Sequence, residues 1–418
     1  MKFLKYFSYL VLLISIPVLS IHFNVFEIKD KIYQKYPNLN LRKYLFKKEP
    51  VFNRINNDYN VKFLPNTELV KMNLEKKKIK FNSDYYTSNA KKKNIAYNKY
   101  GSFFIETFDK NILITDYLGN IYLSLVDELF SNDKKIEPKF LSHNLSEIDR
   151  VYDSMIFENN LYLTYVKKTK ECKKIVISFA NLNKKEFDFK NFFVSECSEV
   201  APGRMAVFSV DGVKGILLSV SSGSYNEPSL DAQNDNSING KVIFIGFDEK
   251  KHSVFTKGHR VVQGLYVDNN LVIATEHGPR GGDEINILKS KHNYGWPISS
   301  YGEKYDFNYE QKPFFKKTHF SQGFEEPIFT FVPAIGISEI IKLPNEFSEM
   351  FNNVYVVSSL YGKSIFLVRL NKKPLRTTFA EKIFLNERIR DIKYLKDKQT
   401  ILLAFETKGE IGILKKTN

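Results

Sequence analysis

An internal repeat constrains this chain more than any other feature. From about residue 100 an apolar, strand-like run is followed by a turn of Asn, Asp or Gly, then a second run, a polar break and a third run. In the first copy the runs are Ser102-Phe103-Phe104-Ile105-Glu106-Thr107, Ile112-Leu113-Ile114-Thr115-Asp116 and Ile121-Tyr122-Leu123-Ser124-Leu125. Further copies begin near Asp153, Arg204, Gln263, Gly336 and Arg390. With Phe103, Met155, Met205, Leu265, Ile340 and Ile392 as equivalent positions, the steps are 52, 50, 60, 75 and 52 residues. Repeats of this length with several strands each indicate propeller blades, because a single small sheet cannot bury both its faces alone. Six copies predict an all-β, six-bladed β-propeller. The long step holds a loop-rich insertion over 302–331. Many runs are apolar on both faces, as expected where each sheet is sandwiched between neighbours. A pair of β-sandwiches would not predict so regular a register. An early run, at 61–64 or 78–81, is expected to complete the last blade and close the ring.

Composition agrees with β-structure: 36 Phe and 24 Tyr lift the aromatic share to 15%. The net charge is +15, but the lysines are scattered. Nucleic-acid binding needs basic residues gathered on one face or motif, so no nucleic-acid partner is expected. Attraction to an anionic membrane surface is a secondary effect of such a charge. Oligomeric state has no signature in the sequence.

The N-terminus carries an export signal. Lys2 and Lys5 precede an apolar stretch from Tyr6 to Ser20, the layout of a secretory signal. Val18 and Ser20 permit cleavage after Ser20. Uncleaved, the apolar residues run on to Phe26, just long enough to span a bilayer as an anchor. Either way the domain is exported, to the periplasm or to the outer side of the inner membrane. The expected organisation is therefore a signal peptide or anchor over 1–26, a basic tether over 27–60 and the propeller over 61–418. The run Lys91-Lys92-Lys93 reads as a solvated turn. Two cysteines, Cys172 and Cys197, end two strand-like runs at 175–180 and 187–194. A disulfide and a pair of free buried thiols are both compatible with that placement.

One stretch, 276–297, reads as a site. An apolar run, Leu271-Val272-Ile273-Ala274, breaks into a loop with Gly278, Pro279, Gly281 and Gly282, followed by Asp283 and Glu284. Glycines let backbone carbonyls approach a ligand, and two carboxylates beside exposed carbonyls are the hard oxygen donors of a calcium site. The single Trp, Trp296, closes the stretch in Tyr294-Gly295-Trp296-Pro297.

This string resembles the loop of the glucose/sorbosone dehydrogenase family. These are soluble or periplasmic aldose dehydrogenases that use pyrroloquinoline quinone (PQQ) and calcium on a six-bladed propeller. The match over 276–297 is close to unbroken, and weaker matches extend from about Asp153 to the C-terminus. The resemblance implies that the carbonyls of Gly278 and Pro279 hold calcium under the quinone. It implies that Asp283, Glu284 and the backbone near Tyr294 hold a structural calcium. It also implies that Arg260, Arg388 and Arg390 bind the cofactor carboxylates, and that an aldose is oxidised at C1.

The same resemblance marks departures. The family's general base is a His opening a motif that ends in Gly-Arg; the matching segment is Val200-Ala201-Pro202-Gly203-Arg204, so Val stands where the His would be. Val cannot accept a proton. In Arg260-Val261-Val262-Gln263-Gly264-Leu265 the Arg is kept and the family's Asn is Val261. A hydroxyl residue is matched by Ala334 and a lysine by Tyr361. Arg388-Ile389-Arg390-Asp391 matches the last-blade arginine motif. Gln233 and Gly240-Lys241 match a scaffold stretch. Among the other candidates, His277 reads as a residue that orders the loop through a hydrogen bond, His259 as an exposed loop histidine, and Glu276 as either a ligand or a strand-end carboxylate. Asp235-x-Ser237-x-Asn239-Gly240 begins like a calcium-binding helix–loop–helix but has Gly246 where a bidentate Glu is required, so that reading is rejected. Two functions follow: an exported quinoprotein aldose dehydrogenase whose base is replaced, or a non-catalytic calcium-stabilised propeller that binds a sugar, glycan or protein.

Overall fold

In the computed structural model, residues 71–81 and 101–417 are described, except 185, 224–228, 250, 307–309, 348–351 and 373–374. The expected signal or anchor, the tether, the run at 61–64 and the lysine turn at 91–93 lie outside the described residues. The described strands form six sheets arranged as the blades of a propeller. Their inner strands are Phe103–Phe108, Ile148–Phe157, Pro202–Val210, Val262–Asp268, Ile337–Lys342 and Ile389–Leu395. Each lies against the inner strands on either side, and the first meets the sixth, so the ring closes.

All six positions used to measure the repeat fall on these inner strands. Five of the blades have four strands, rather than the three visible in the sequence, and the sixth has five, Lys135–Ile136 being added beside Lys71–Ile79. The outermost strand escapes notice where it is short, as in Lys139–Leu141 and Phe329–Phe331. It faces fewer neighbours, so its apolar pattern is weak. The sixth blade closes as expected. Lys71–Ile79 pairs antiparallel with the C-terminal strand Glu410–Thr417, from Lys71 opposite Thr417 to Lys78 opposite Glu410. Both ends of the domain are thereby held in one sheet.

The core lies between blades. Ile112, Ile114, Leu402, Ala404, Ile411 and Ile413 interdigitate between the first and sixth sheets, and Ile337, Ile340, Tyr355 and Val357 pack on Ile273, Ile285 and Ile287 of the fourth. At roughly 25 cal/mol per Å² of buried apolar area, such double-sided burial is the main source of stability. Five of the six inner strands carry a register shift near their start, between Val151 and Asp153, Pro202 and Met205, Val262 and Gly264, Ile337 and Ile340, and Ile389 and Asp391. A bulge there re-aims side chains toward the axis.

Cys172 and Cys197 form a disulfide that joins the two outer strands of the second blade, Lys173–Asn181 and Lys190–Cys197. It closes a loop over a sequence separation of 25 residues, which in the chain-entropy account is worth about 3 kcal/mol. C172S, C197S and the double variant should therefore share one lowered melting temperature, and a reductant should lower that of the wild type but of none of the variants. Thermal scans with and without reductant check this.

Candidate functional site

Two cavities follow one another along the inner strands. Residues before the shared apolar position line the first, of about 190 Å³: Arg150, Arg204, Gln263 and Arg390, with Phe104, Tyr152, Val261, His277 and Leu360. Residues beside and after that position line the second, of about 450 Å³, including Asp153, Glu339, Lys393 and Tyr394.

Arg204 stands at the junction, and it touches all the other blades. Its Nη1 lies 2.7 Å from Asp153 Oδ1 and 3.6 Å from Asp391 Oδ1. Its Nε is 3.1 Å from Glu339 Oε2 and donates to Gln263 O at 2.9 Å. Its Nη2 donates to Arg390 O at 2.7 Å, and its guanidinium sits 5.0 Å from the ring centre of Phe104. The acids bind further around the ring: Asp153 Oδ2 accepts from Met205 N, and Asp391 Oδ2 from Ile105 N, each at 2.8 Å. Lys393 pairs with Glu106 at 2.7 Å.

Four buried carboxylates share two cations, so they cannot all be ionised cheaply. Burial above all, with Asp391 and Asp153 close by, pushes Glu106 up to about 7 despite Lys393. Burial likewise pushes Glu339 up to about 7, against Arg204 and with Asp391 and Asp153 adding to the rise. Asp153 is raised by burial too, in spite of Arg204.

The first cavity has the opposite character. Arg150 Nη2 donates to Ser102 Oγ at 3.0 Å, and its guanidinium sits 5.3 Å from the Tyr152 ring centre. Arg390 Nη1 donates to Gln263 Oε1 at 2.9 Å and its Nε to Glu406 Oε2 at 2.9 Å. Arg388 does not line the cavity; its Nε and Nη2 both lie 2.9 Å from Glu406 Oε1. Glu406 is held below its ordinary range: burial opposes ionisation, but Arg390 and Arg388 outweigh it. Arg390 itself is pushed down, by burial first and then by Arg150 and Arg204. The cavity thus carries positive charge that the protein only partly neutralises.

The loop at 276–297 borders it. His277 lines both the first cavity and a void of about 10 Å³ bounded by Arg260, Glu276, Gly278, Pro279, Glu284, Tyr294, Trp296 and His319. Gly281 and Gly282 have φ of 88° and 69°, and a Cβ on Gly278 would lie 2.2 Å from Gly282 O, so side chains are excluded here. Gln233 anchors the loop, donating to Trp296 O at 2.6 Å and accepting from Asn293 at 2.7 Å. Lys241, fully buried, donates to Asp231 O and Asn239 O.

Of the loop's expected calcium donors, Gly278, Asp283, Glu284 and Tyr294 are engaged within the protein. Arg260 Nη1 donates to Gly278 O at 2.8 Å and His277 O at 3.1 Å. Asp283 Oδ1 accepts from Gly278 N, and its Oδ2 from Ile335 N and Ile337 N, all at 2.9 Å. Glu284 Oε2 accepts from Asn286 at 3.1 Å, while its Oε1 lies 3.3 Å from His319 Nε2. The other nitrogen of His319 donates to Tyr294 O at 3.0 Å. These donors do not fit a calcium ion, which needs six to eight oxygens turned toward it. The first cavity is a better match to PQQ: the guanidinium groups of Arg150 and Arg390 suit its carboxylates, and Phe104 and Tyr152 add aromatic rings to the lining.

Three readings of single residues change or gain detail. His259 is fully buried, not exposed: its Nδ1 is 2.9 Å from Glu276 Oε2, its Nε2 is 2.8 Å from Thr256 Oγ1, and its ring stacks on Tyr294. The neighbouring strand-end carboxylate drew it inward, a pairing invisible at a separation of 17 residues. Val200 packs with Phe192, Phe193 and Ile216 in the core between the second and third blades and lines neither cavity. His277 Nε2 contacts Ile337 O, tying the loop to the fifth blade. Tyr361 is 75% exposed and Ala334 half-buried. No motif in the sequence marks Arg150, Arg204, Glu406 or His319 as a site residue. Arg204 had a signal: like Asp153, Gln263, Glu339, Arg390 and Asp391, it sits one or two places before the repeat's apolar position.

This is a propeller with an arginine-lined axial cavity and a glycine loop at its edge. Over 102–414 the chain matches the model of the glucose/sorbosone dehydrogenase family, and it belongs to that family. It is 26% identical over 171 residues to the aldose sugar dehydrogenase YliI of Escherichia coli, covering 40% of this chain and 45% of that protein. The chain spans about half the length of the curated relatives it matches. Its fold resembles a glucose dehydrogenase crystal structure, with a TM-score of 0.62 at 19% identity over 76% of this chain and 96% of that one. It also resembles the PQQ-bound aldose sugar dehydrogenase of Streptomyces coelicolor, with a TM-score of 0.54 at 15% identity over 83% and 99%.

The carboxylate cluster has a measurable consequence. An acid whose folded value is raised keeps its proton where the unfolded chain has released it, so stability falls as pH rises from about 4.5 to about 7. Glu339 faces Arg204, Asp391, Asp153 and Lys393. Glu339→Gln should flatten part of that fall, Glu106 and Asp153 supplying the rest. Calorimetric melting temperatures at pH 5, 6, 7 and 8 check it; an unchanged slope would refute the assignment.

Proposed function

We propose that this chain is an exported quinoprotein that oxidises aldoses at C1 with PQQ held in the first cavity. The observation that carries the reading is the convergence of Arg150, Arg204 and Arg390 on one cavity, where Arg150 bonds to Ser102 rather than to an acid and Arg390 shares the single carboxylate of Glu406 with Arg388. A desolvated cluster of this kind calls for an anionic ligand, and a tricarboxylate answers it. The family supplies the substrate class, and the layout of residues 1–26 supplies the export.

Bound PQQ would supply a two-electron hydride acceptor. The chain's residues orient and deprotonate the sugar. The C1 hydroxyl must lose a proton as the C1 hydride leaves, giving the lactone, and Val200 cannot take that proton. His277 can. Its Nε2 faces the carbonyl of Ile337, which only accepts, so that nitrogen carries the hydrogen and Nδ1 holds the lone pair. Burial lowers its pKa, keeping the ring neutral at pH 7. A neutral imidazole lining the cofactor cavity is a competent general base.

PQQ titrated into the purified chain should change its visible absorbance and quench Trp296, which lies beside Arg260. Arg390→Met should weaken that binding by tenfold or more. His277→Ala should bind PQQ as the wild type does but lose roughly 10²–10⁴-fold in dye-coupled aldose oxidation. No PQQ binding would sink the quinoprotein reading. Binding without turnover in the wild type would leave a non-catalytic propeller that holds an anionic ligand, the reading that the burial of Val200 in the core favours.

A further inference from the structure

We infer that the loop over 276–297 keeps its shape without calcium, because two side chains of this chain stand where a metal would cross-link it. The inference concerns the loop alone and holds whether or not PQQ binds the first cavity.

The first cross-link is Arg260. One guanidinium nitrogen bridges the carbonyl oxygens of His277 and Gly278, and the group lies 5.4 Å from the ring centre of Trp296. A fixed cation thus binds two adjacent carbonyls of the loop apex, as a metal would, but without a coordination shell to complete. The second cross-link is His319, from the insertion that follows the loop. Its ring spans the Tyr294 carbonyl on one side and the Glu284 carboxylate on the other. It is 2% exposed and stacks against Tyr301. Those two groups lie ten residues apart in sequence, and the ring joins them.

The remaining acids are committed too. Glu276 is met by the backbone N–H of Arg260, by His259 and by Asn286. Asp283 accepts three backbone hydrogen bonds. The void left among these groups, about 10 Å³, is near the minimum for one water molecule. Among the described residues no cluster of three or more His, Cys, Asp or Glu side chains has the geometry to hold a metal.

The test uses the full chain, purified without added quinone. Its melting temperature is measured in EGTA and in millimolar calcium, and its metal content by elemental analysis. A micromolar calcium site would raise the melting temperature by several degrees at millimolar calcium. The expected shift is below about 1 °C, with substoichiometric calcium. His319→Ala should melt several degrees lower in EGTA than the wild type; failure to fold would equally show that the ring is a necessary cross-link. Stoichiometric calcium, or a wild type destabilised by EGTA, would overturn the inference. So would a His319→Ala variant as stable as the wild type. A failure of the quinone reading would move none of these values.

Discussion

The structure hangs on one guanidinium. Arg204 reaches an acid or a carbonyl on the second, fourth, fifth and sixth blades and an aromatic face on the first, from its own place on the third. A propeller's neighbouring sheets are held by apolar packing, which is strong but slides. Directional bonds at the axis add what packing lacks, a defined rotation of each blade. The bulges near the starts of the inner strands allow this, because they turn polar residues inward at one level of the ring. Removing the arginine would leave Asp153, Glu339 and Asp391 with only Lys393, already paired with Glu106, as a counter-ion, a loss on the order of 3–5 kcal/mol.

That hub also separates charge along the axis. Asp153 and Glu339 line the second cavity, where burial drives them toward protonation. Arg150 and Arg390 line the first, where the single carboxylate of Glu406 is shared by Arg390 and Arg388. The field of the first cavity therefore comes from the frame that closes the ring. A binding site built into a scaffold in this way resists change, since altering it costs stability.

Most of the fold was legible because a propeller writes its period into the chain. Phe103, Met155, Met205, Leu265, Ile340 and Ile392 mark the inner strands through spacing alone, and Lys71–Ile79 closes the ring as an early run at 78–81 suggested. The outer strands were harder, since Lys139–Leu141 and Phe329–Phe331 are short and half-exposed. The site was legible in part. Gly278, Pro279, Glu284 and Tyr294 do border one void, and Arg390 does line the cavity. What a linear reading missed were partners far apart in sequence: Glu406 for Arg390, Glu276 for His259, and His319 for Glu284. Each is a contact across a loop or between strands, and no local pattern predicts which of several carboxylates a cation will meet.

On the resemblance that sets Val200 at the position of the family's histidine, these long-range pairs explain how the chain would keep the family's shape. Val200 joins a cluster with Phe192, Phe193 and Ile216. No bond of the ring is broken by the change, and burial of another apolar residue adds to stability. The arginines cannot be exchanged so cheaply, because Arg204 and Arg390 are tied to the blades by hydrogen bonds as well as exposed to the cavity. In the proposed function, anion binding and proton abstraction would thus be secured by different physics. The first would belong to the scaffold and persist with it. The second would rest on His277, whose position the glycines of the loop and the carbonyl of Ile337 together determine.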